Sequence, residues 1–175
     1  MLLLLACSTS DSDDSSTNRH AAAVTFVQRF YDWYVPLGDG PTVTTRYDSL
    51  ARNESGWFTP ALAAALTNDL EVQRHDTTGD IVSITSEIDP FVASQDPCPR
   101  YEARDGRDSS GRVVVSVYPV CNGRAAAKPS ILVEVSVFGD GLQISNFRNP
   151  DYATSDVRQE LANTRPASAK AIPRP

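Results

Sequence analysis

The stretch that decides the fold is RVVVSVYPVC, residues 112–121. Successive side chains of a strand point to opposite faces, so this stretch is apolar on both faces of an extended chain. One face carries Val113, Val115 and Val117, and the other carries Val114, Tyr118 and Val120. Apolar residues on both faces are typical of a strand that is covered on both sides. Residues 112–121 therefore predict a strand inside a sheet.

The neighbouring segments also predict antiparallel strands. Residues 101–105, a polar turn over 106–111 and the 112–121 strand form a hairpin pattern. A second hairpin follows, with strands over 130–138 and 142–148 joined by Gly139-Asp140-Gly141. Within 131–138 the odd positions are apolar, whereas Glu134 and Ser136 occupy the other face, which predicts one buried and one wetter face.

Helical patterns precede these strands. Apolar side chains over 19–35 recur at the three- and four-residue spacing of one helical face: Ala23, Phe26, Val27, Phe30, Trp33 and Tyr34. A shorter helix is predicted over 43–51. A further helix is predicted from Pro60 to near His75, because Thr59 suits the N-cap and Pro60 the first helical position. A short helix over 155–163 ends the pattern. Helices followed by antiparallel strands predict an α+β fold.

Several motifs carry a resemblance to a known family. They are Phe30-Tyr31-x-Trp33-Tyr34, Trp57-Phe58-Thr59-Pro60-x-Leu62, Asp89-Pro90-Phe91-x-x-Ser94-Gln95-Asp96-Pro97-Cys98, and the segments 120–123 and 146–150. In this order, over about residues 21–162, the chain resembles an uncharacterised family of bacterial envelope lipoproteins with an NTF2-like or cystatin-like α+β domain. The resemblance implies N-terminal helices packed on a curved sheet of about four strands, forming a cone. It implies no catalytic residue.

The N-terminal stretch MLLLLACSTSDSDDSS is predicted to be a targeting signal and not part of the folded domain. Residues 1–6 are a truncated signal segment, and Leu4-Leu5-Ala6-Cys7 resembles a bacterial lipobox, in which Cys7 would carry the lipid. Residues 7–18 are predicted to be a flexible polar tether, 19–164 a single domain and 165–175 a disordered tail. Ser8 after the cysteine indicates the outer membrane, facing the periplasm. The alternative is an apolar tip on a cytoplasmic protein.

Cysteine content supports export. With Cys7 lipidated, Cys98 and Cys121 are left as a pair, which an oxidising compartment would join. The alternative is two buried free thiols. Neither cysteine has another cysteine or a histidine at ligand spacing, so the sequence predicts no metal site.

The chain contains no recognisable catalytic motif and predicts no cofactor. The most promising segment is 87–97, where Asp89 and Asp96 flank Gln95 and could converge on a ligand. The alternative is that an aspartate before a proline initiates a turn. Tyr34 and Trp57 could line a pocket, although such aromatics more often form core. The charged run 100–108 predicts a solvated hairpin tip or a partner-docking knob.

Together these observations predict a tethered, non-catalytic binding module for a small molecule or an envelope protein. The net charge of −6 and the lack of a basic stripe exclude nucleic acid as a partner. They also limit membrane attachment to the lipid at Cys7. One alternative is an inhibitor or immunity-type protein that docks a basic hydrolase through Asp105 and Asp108. The other is an enzyme that uses Asp89 or Asp96.

Overall fold

A computed structural model describes residues 11–39, 49–52, 56–75, 89–139, 141–151 and 156–163. Helix α1 spans Asp11–Tyr34 and continues into a 3₁₀ turn over Val35–Asp39; helix α2 spans Pro60–His75 and helix α3 spans Val157–Asn163. The strands are β1 (Arg100–Ser109), β2 (Arg112–Cys121), β3 (Arg124–Ala125), β4 (Ile131–Phe138) and β5 (Gly141–Arg148). The α+β class, with helices and an open antiparallel sheet, is confirmed.

Some predicted segments lie outside the described residues. These are the signal segment 1–6, Cys7, the tail 165–175 and most of the helix predicted over 43–51. Residues 49–51 of that last segment are helical.

Helix α1 begins earlier than predicted. It starts at Asp11, so the polar run 11–18 is helical, which contradicts the prediction of a flexible arm over these residues. Downstream, the predicted apolar face is buried at Ala23, Val27, Phe30 and Tyr34.

Helix α2 agrees with the prediction in both bounds. The Leu62 N–H points at the Thr59 Oγ1, 3.5 Å away, in the manner of an N-cap. Leu62, Leu66 and Leu70 are buried and form the predicted apolar stripe.

The sheet has the strand order β1-β2-β4-β5, and the short β3 pairs with the end of β2. Two-residue turns connect β1 to β2 and β2 to β3. Ser110 and Gly111 both have positive φ, and so do Asn122 and Gly123, as type I′ turns require. The turn predicted over 106–111 is therefore wrong in extent, because β1 continues to Ser109.

Gly106 lies inside β1, at an irregularity. The pairing register shifts between Arg104 and Arg107, and Asp105 has a φ of 56°. A Cβ on Gly106 would stand 3.0 Å from the carbonyl oxygen of His20. Glycine is needed here because α1 and β1 come this close.

The two long edges of the sheet are both covered by other parts of the chain. Helix α1 lies along β1. At the other edge, Ile144 of β5 exchanges hydrogen bonds with the Trp57 carbonyl (2.8 Å) and the Thr59 N–H (2.9 Å). The core lies between the helices and the sheet face that carries Val115, Val133 and Phe147.

Candidate functional site

Asp89 builds a turn. Its Oδ1 accepts the Phe91 N–H at 2.9 Å, and its Oδ2 accepts the phenol of Tyr34 at 2.9 Å. Its own N–H donates to the Ser94 carbonyl at 3.3 Å. Both carboxylate oxygens are thus engaged in holding the 89–94 loop against α1, in the arrangement expected of an aspartate that initiates a turn.

Gln95 and Asp96 lie elsewhere. Both are exposed, and the main chain of Asp96 is held locally by the Ser94 hydroxyl, which accepts its N–H at 3.1 Å and donates to its carbonyl at 2.8 Å. Tyr34 is only 1% exposed. The structure therefore joins Tyr34 to Asp89 and leaves Gln95 and Asp96 at the surface.

Trp57 and Tyr34 belong to one aromatic cluster centred on Phe30. The Phe30 ring centroid lies 5.4 Å from that of Tyr34, 5.8 Å from Trp57 and 5.5 Å from Phe147. These rings fill the space between α1 and the sheet. Among the described residues, the Trp57 Nε1 is buried without a hydrogen-bond partner, and the Arg29 guanidinium lies 6.0 Å from the Trp57 ring.

Two buried tyrosines complete the attachment of the 89–94 loop. The Tyr31 hydroxyl donates to the Phe91 carbonyl at 2.8 Å, and the Tyr101 hydroxyl donates to the Val92 carbonyl at 3.4 Å. Burial raises the pKa of Tyr31 well above its usual value, so the phenol stays protonated and remains a donor. The sequence patterns do not indicate this role for either residue, because Tyr31 is 60 residues from Phe91 and the separation of nine between Tyr101 and Val92 fits no helical or strand period.

The charged run 100–108 is strand β1 and not a hairpin tip, so that prediction is wrong. Because it is an edge strand, its outward side chains can be charged. Glu102 pairs with Arg100 at 2.9 Å and also with Arg104, whose guanidinium lies 5.1 Å from the Tyr118 ring. The hydrogen bond from Arg104 lowers the pKa of Glu102. We call Arg100, Glu102, Arg104 and Tyr118 the charged ladder.

Asp105 and Asp108 are engaged within the domain. Asp105 accepts the Tyr118 hydroxyl at 3.1 Å. Asp108 accepts Arg19 at 2.6 Å, and His20 Nε2 lies 3.0 Å from its other oxygen. Partial desolvation raises the pKa of Asp108, but His20 and Arg19 together outweigh it, so the pKa is lowered. Asp108 therefore joins α1 to β1, and Asp105 joins β1 to β2.

Glu134 contradicts the prediction of a wetter face on β4, since it is only 7% exposed. Arg112 of β2 lies 2.6 Å from one carboxylate oxygen, and Arg148 of β5 lies 2.9 Å from the other. A buried carboxylate needs such partners. Alternation along one strand could not reveal them, because both arginines belong to other strands.

Cys98 and Cys121 form a disulfide with a Cα–Cα distance of 5.1 Å. It links the segment that leads into β1 to the end of β2. This link lies at the end of the two strands opposite the β1–β2 turn.

The end of β4 exposes two apolar side chains, just before the turn to β5. Val137 is 64% exposed and Phe138 is 52% exposed, and they are the exposed large hydrophobic residues in the described part of the chain. The sequence predicted Val137 on the buried face of β4. Val137 is the last residue of that face and lies beyond the core, so the alternation alone could not indicate that it is exposed.

Within the described ranges, no group of three or more His, Cys, Asp and Glu side chains is placed to hold a metal ion. None of the helices in this part of the chain combines the length and the hydropathy needed to cross a bilayer. No family model, no curated protein and no solved structure matches the chain.

Proposed function

We propose that this protein is a non-catalytic binding module of the bacterial cell envelope. In this proposal Cys7 carries a lipid that holds the domain in the outer membrane, facing the periplasm. The α+β domain is of the NTF2-like kind, with its cone filled by aromatic side chains. The partner is an envelope protein.

One observation carries the non-catalytic part of the proposal. Asp89 was the strongest candidate for acid–base chemistry, and both of its oxygens are engaged with Tyr34 and Phe91. A general base must instead present an oxygen to the proton that it abstracts. Tyr34 and Trp57 pack against Phe30, which favours a surface over an interior pocket as the place where a partner binds.

The charged ladder is the surface that we assign to the partner. Its ion pairs bring Arg100, Glu102 and Arg104 together on the edge strand, where a partner can reach them. Arginine and tyrosine are also the residue types that most often contribute strongly to protein interfaces.

Two experiments test the proposal. The first compares fractionation of the wild-type protein with that of Cys7→Ala; we expect the variant in the soluble periplasmic fraction, and membrane retention would contradict the tether. The second is crosslinking in the native envelope with Arg104→Glu as the test variant. Arg124→Glu is the control, since Arg124 is exposed on β3 and outside the ladder.

We expect one stoichiometric crosslinked protein for the wild type and for Arg124→Glu, and a loss of at least about tenfold for Arg104→Glu. Equal capture by both variants would remove the ladder from the proposal. If the wild-type protein turned over an envelope substrate and Asp89→Asn did not, the non-catalytic assignment would be contradicted.

A further inference from the structure

The exposed hairpin tip and the start of α1 lie at the same end of the domain. His20 of α1 contacts Asp108 of β1. Asp108 pairs with Val113 of β2, and Val113 pairs with Val135 of β4, so these residues lie at one level across the sheet. Going from Gln28 to His20 along α1, the contacts on β1 move from Ala103 to Gly106, toward the β1–β2 turn. Strand β4 runs in the same direction as β1 and ends at this same end.

The start of α1 and the hairpin tip also extend a similar distance beyond the level of His20 and Val135. Asp11 lies nine residues before His20, which is about 13 Å along a helix. Phe138 lies three residues beyond Val135, which is about 10 Å along a strand. Cys7 precedes Asp11 by four residues, a covalent reach of at most about 14 Å. A lipid on Cys7 would therefore hold this end of the domain close to the bilayer.

We infer that the β4–β5 hairpin tip inserts Val137 and Phe138 into the bilayer that holds the lipid of Cys7. This inference rests on the tether in the proposed function. Only residues 8–10 separate Cys7 from α1, so the tip lies within reach of the lipid surface. Val137 and Phe138 are apolar and exposed, and the turn sequence that follows them, Gly139-Asp140-Gly141, adds one acidic residue in an acidic protein. Insertion therefore relies on the two apolar side chains and not on attraction to anionic lipid. The domain then stands with its strands pointing away from the membrane.

The test couples the full chain, expressed without lipid, through Cys7 to phosphatidylcholine vesicles that contain a maleimide lipid. Cys7 is the thiol available for coupling, because the other two cysteines form the disulfide. Hydrogen exchange is then measured for the amides of 137–141, coupled and free. The test variant is Val137→Ser/Phe138→Ser, whose fold is checked by circular dichroism.

A control variant reverses the orientation of the domain on the vesicle. In Cys7→Ser/Lys128→Cys the coupling site moves to an exposed position before β4, at the opposite end of the sheet. We expect exchange at 137–141 to slow at least about tenfold on vesicles when coupling is through Cys7. We expect no slowing in the double serine variant or when coupling is through Lys128→Cys.

Unchanged exchange in the Cys7-coupled protein would overturn the inference. Equal slowing from both coupling sites would also overturn it, because orientation would then play no part. Protection that arises on adding envelope proteins, and not on vesicles, would assign the tip to a protein partner instead. Since the coupling is chemical, these outcomes are independent of whether cells lipidate Cys7, which the fractionation of Cys7→Ala decides separately.

Discussion

The side-chain amide of Gln28 closes the open edge of strand β1 by bonding Ala103. Its Oε1 accepts the Ala103 N–H at 2.8 Å, and its Nε2 donates to the Tyr101 carbonyl at 3.0 Å. Tyr101 lies opposite Pro119 of β2, which has no N–H to offer. The Tyr101 carbonyl thus points away from β2 and accepts from Gln28, and the Pro119 carbonyl points away from β1 and accepts the Ala126 N–H at 2.9 Å.

Replacing Gln28 by alanine should destabilise the domain. Two partly buried backbone groups lose their partner, which costs about 1–3 kcal/mol in the free energy of unfolding. Urea unfolding followed by circular dichroism measures this loss. Thr25→Ala, at an exposed position of α1, is the control and should change little. If the two variants were equally stable, the amide would not be closing the edge. We also expect more aggregation of Gln28→Ala, because its strand edge is open.

Gly106→Ala should separate α1 from β1. The added Cβ would meet the His20 carbonyl at 3.0 Å, and overpacking of this kind costs about 1–3 kcal/mol. Gly141→Ala is the matched control, since its Cβ would meet only the Phe138 carbonyl at 4.0 Å. Thermal unfolding should show a lower midpoint for Gly106→Ala alone. A shared midpoint would mean that the helix moves away from the strand without loss of stability.

Tyr34→Phe should loosen the 89–94 loop. It removes the hydrogen bond to Asp89, which is worth about 1.5–3 kcal/mol because the acceptor is a carboxylate. Asp89→Asn keeps one oxygen, which can still accept the Phe91 N–H, and its NH2 group can donate to the Tyr34 oxygen in place of the present bond, so its effect should be smaller. A double-mutant cycle in urea measures the coupling between the two positions. Additive effects of Tyr34→Phe and Asp89→Ala would show that the pair does not interact.

Acid should remove the contribution of the charged ladder. The hydrogen bond from Arg104 places the pKa of Glu102 in the folded protein below its ordinary value of 4.5. A lowered folded pKa gives stability that is present above 4.5 and is lost as the pH falls through the folded pKa. The difference in unfolding midpoint between wild type and Glu102→Gln should therefore shrink from pH 7 to pH 3. A difference that stays constant with pH would argue against the ion pair.

Removing the disulfide should destabilise the domain by about 3 kcal/mol, given the sequence separation of 23 between Cys98 and Cys121. Urea unfolding of Cys98→Ser/Cys121→Ser measures the loss. A reductant should lower the wild type to the level of this variant and leave the variant itself unchanged. A wild type that is insensitive to reductant would contradict the bond.

Sequence patterns predicted the elements whose signals are local. Thr59 and Pro60 predicted the start of α2, the run that is apolar on both faces predicted β2, and the alternation over 131–138 predicted β4. They missed features that depend on distant partners. The burial of Glu134 needs arginines on two other strands, and the position of Gly106 inside β1 depends on its contact with His20, more than 80 residues earlier.

The same limit applies to the candidate site. The motif around Asp89 correctly indicated a structured turn, but only the fold shows that Tyr34 occupies one of its oxygens. Gln95 and Asp96 adjoin it in sequence and still lie at the surface, because the loop turns outward after Ser94. Proximity along a loop does not determine which side chains share an environment.

The strand order has a consequence for how the chain folds. Each long strand pairs with its neighbour in the sequence, so the sheet can form from local hairpins. Helix α1 is different, since 73 residues separate Gln28 from Tyr101, and closing so long a loop is slow. In a chain made or exported from its N-terminus, the aromatic face of α1 can contact Trp57 and Phe58 early, but it must wait for the strands before Tyr101 and Phe147 can cover the rest. Aggregation before folding is complete should depend on how long that wait lasts.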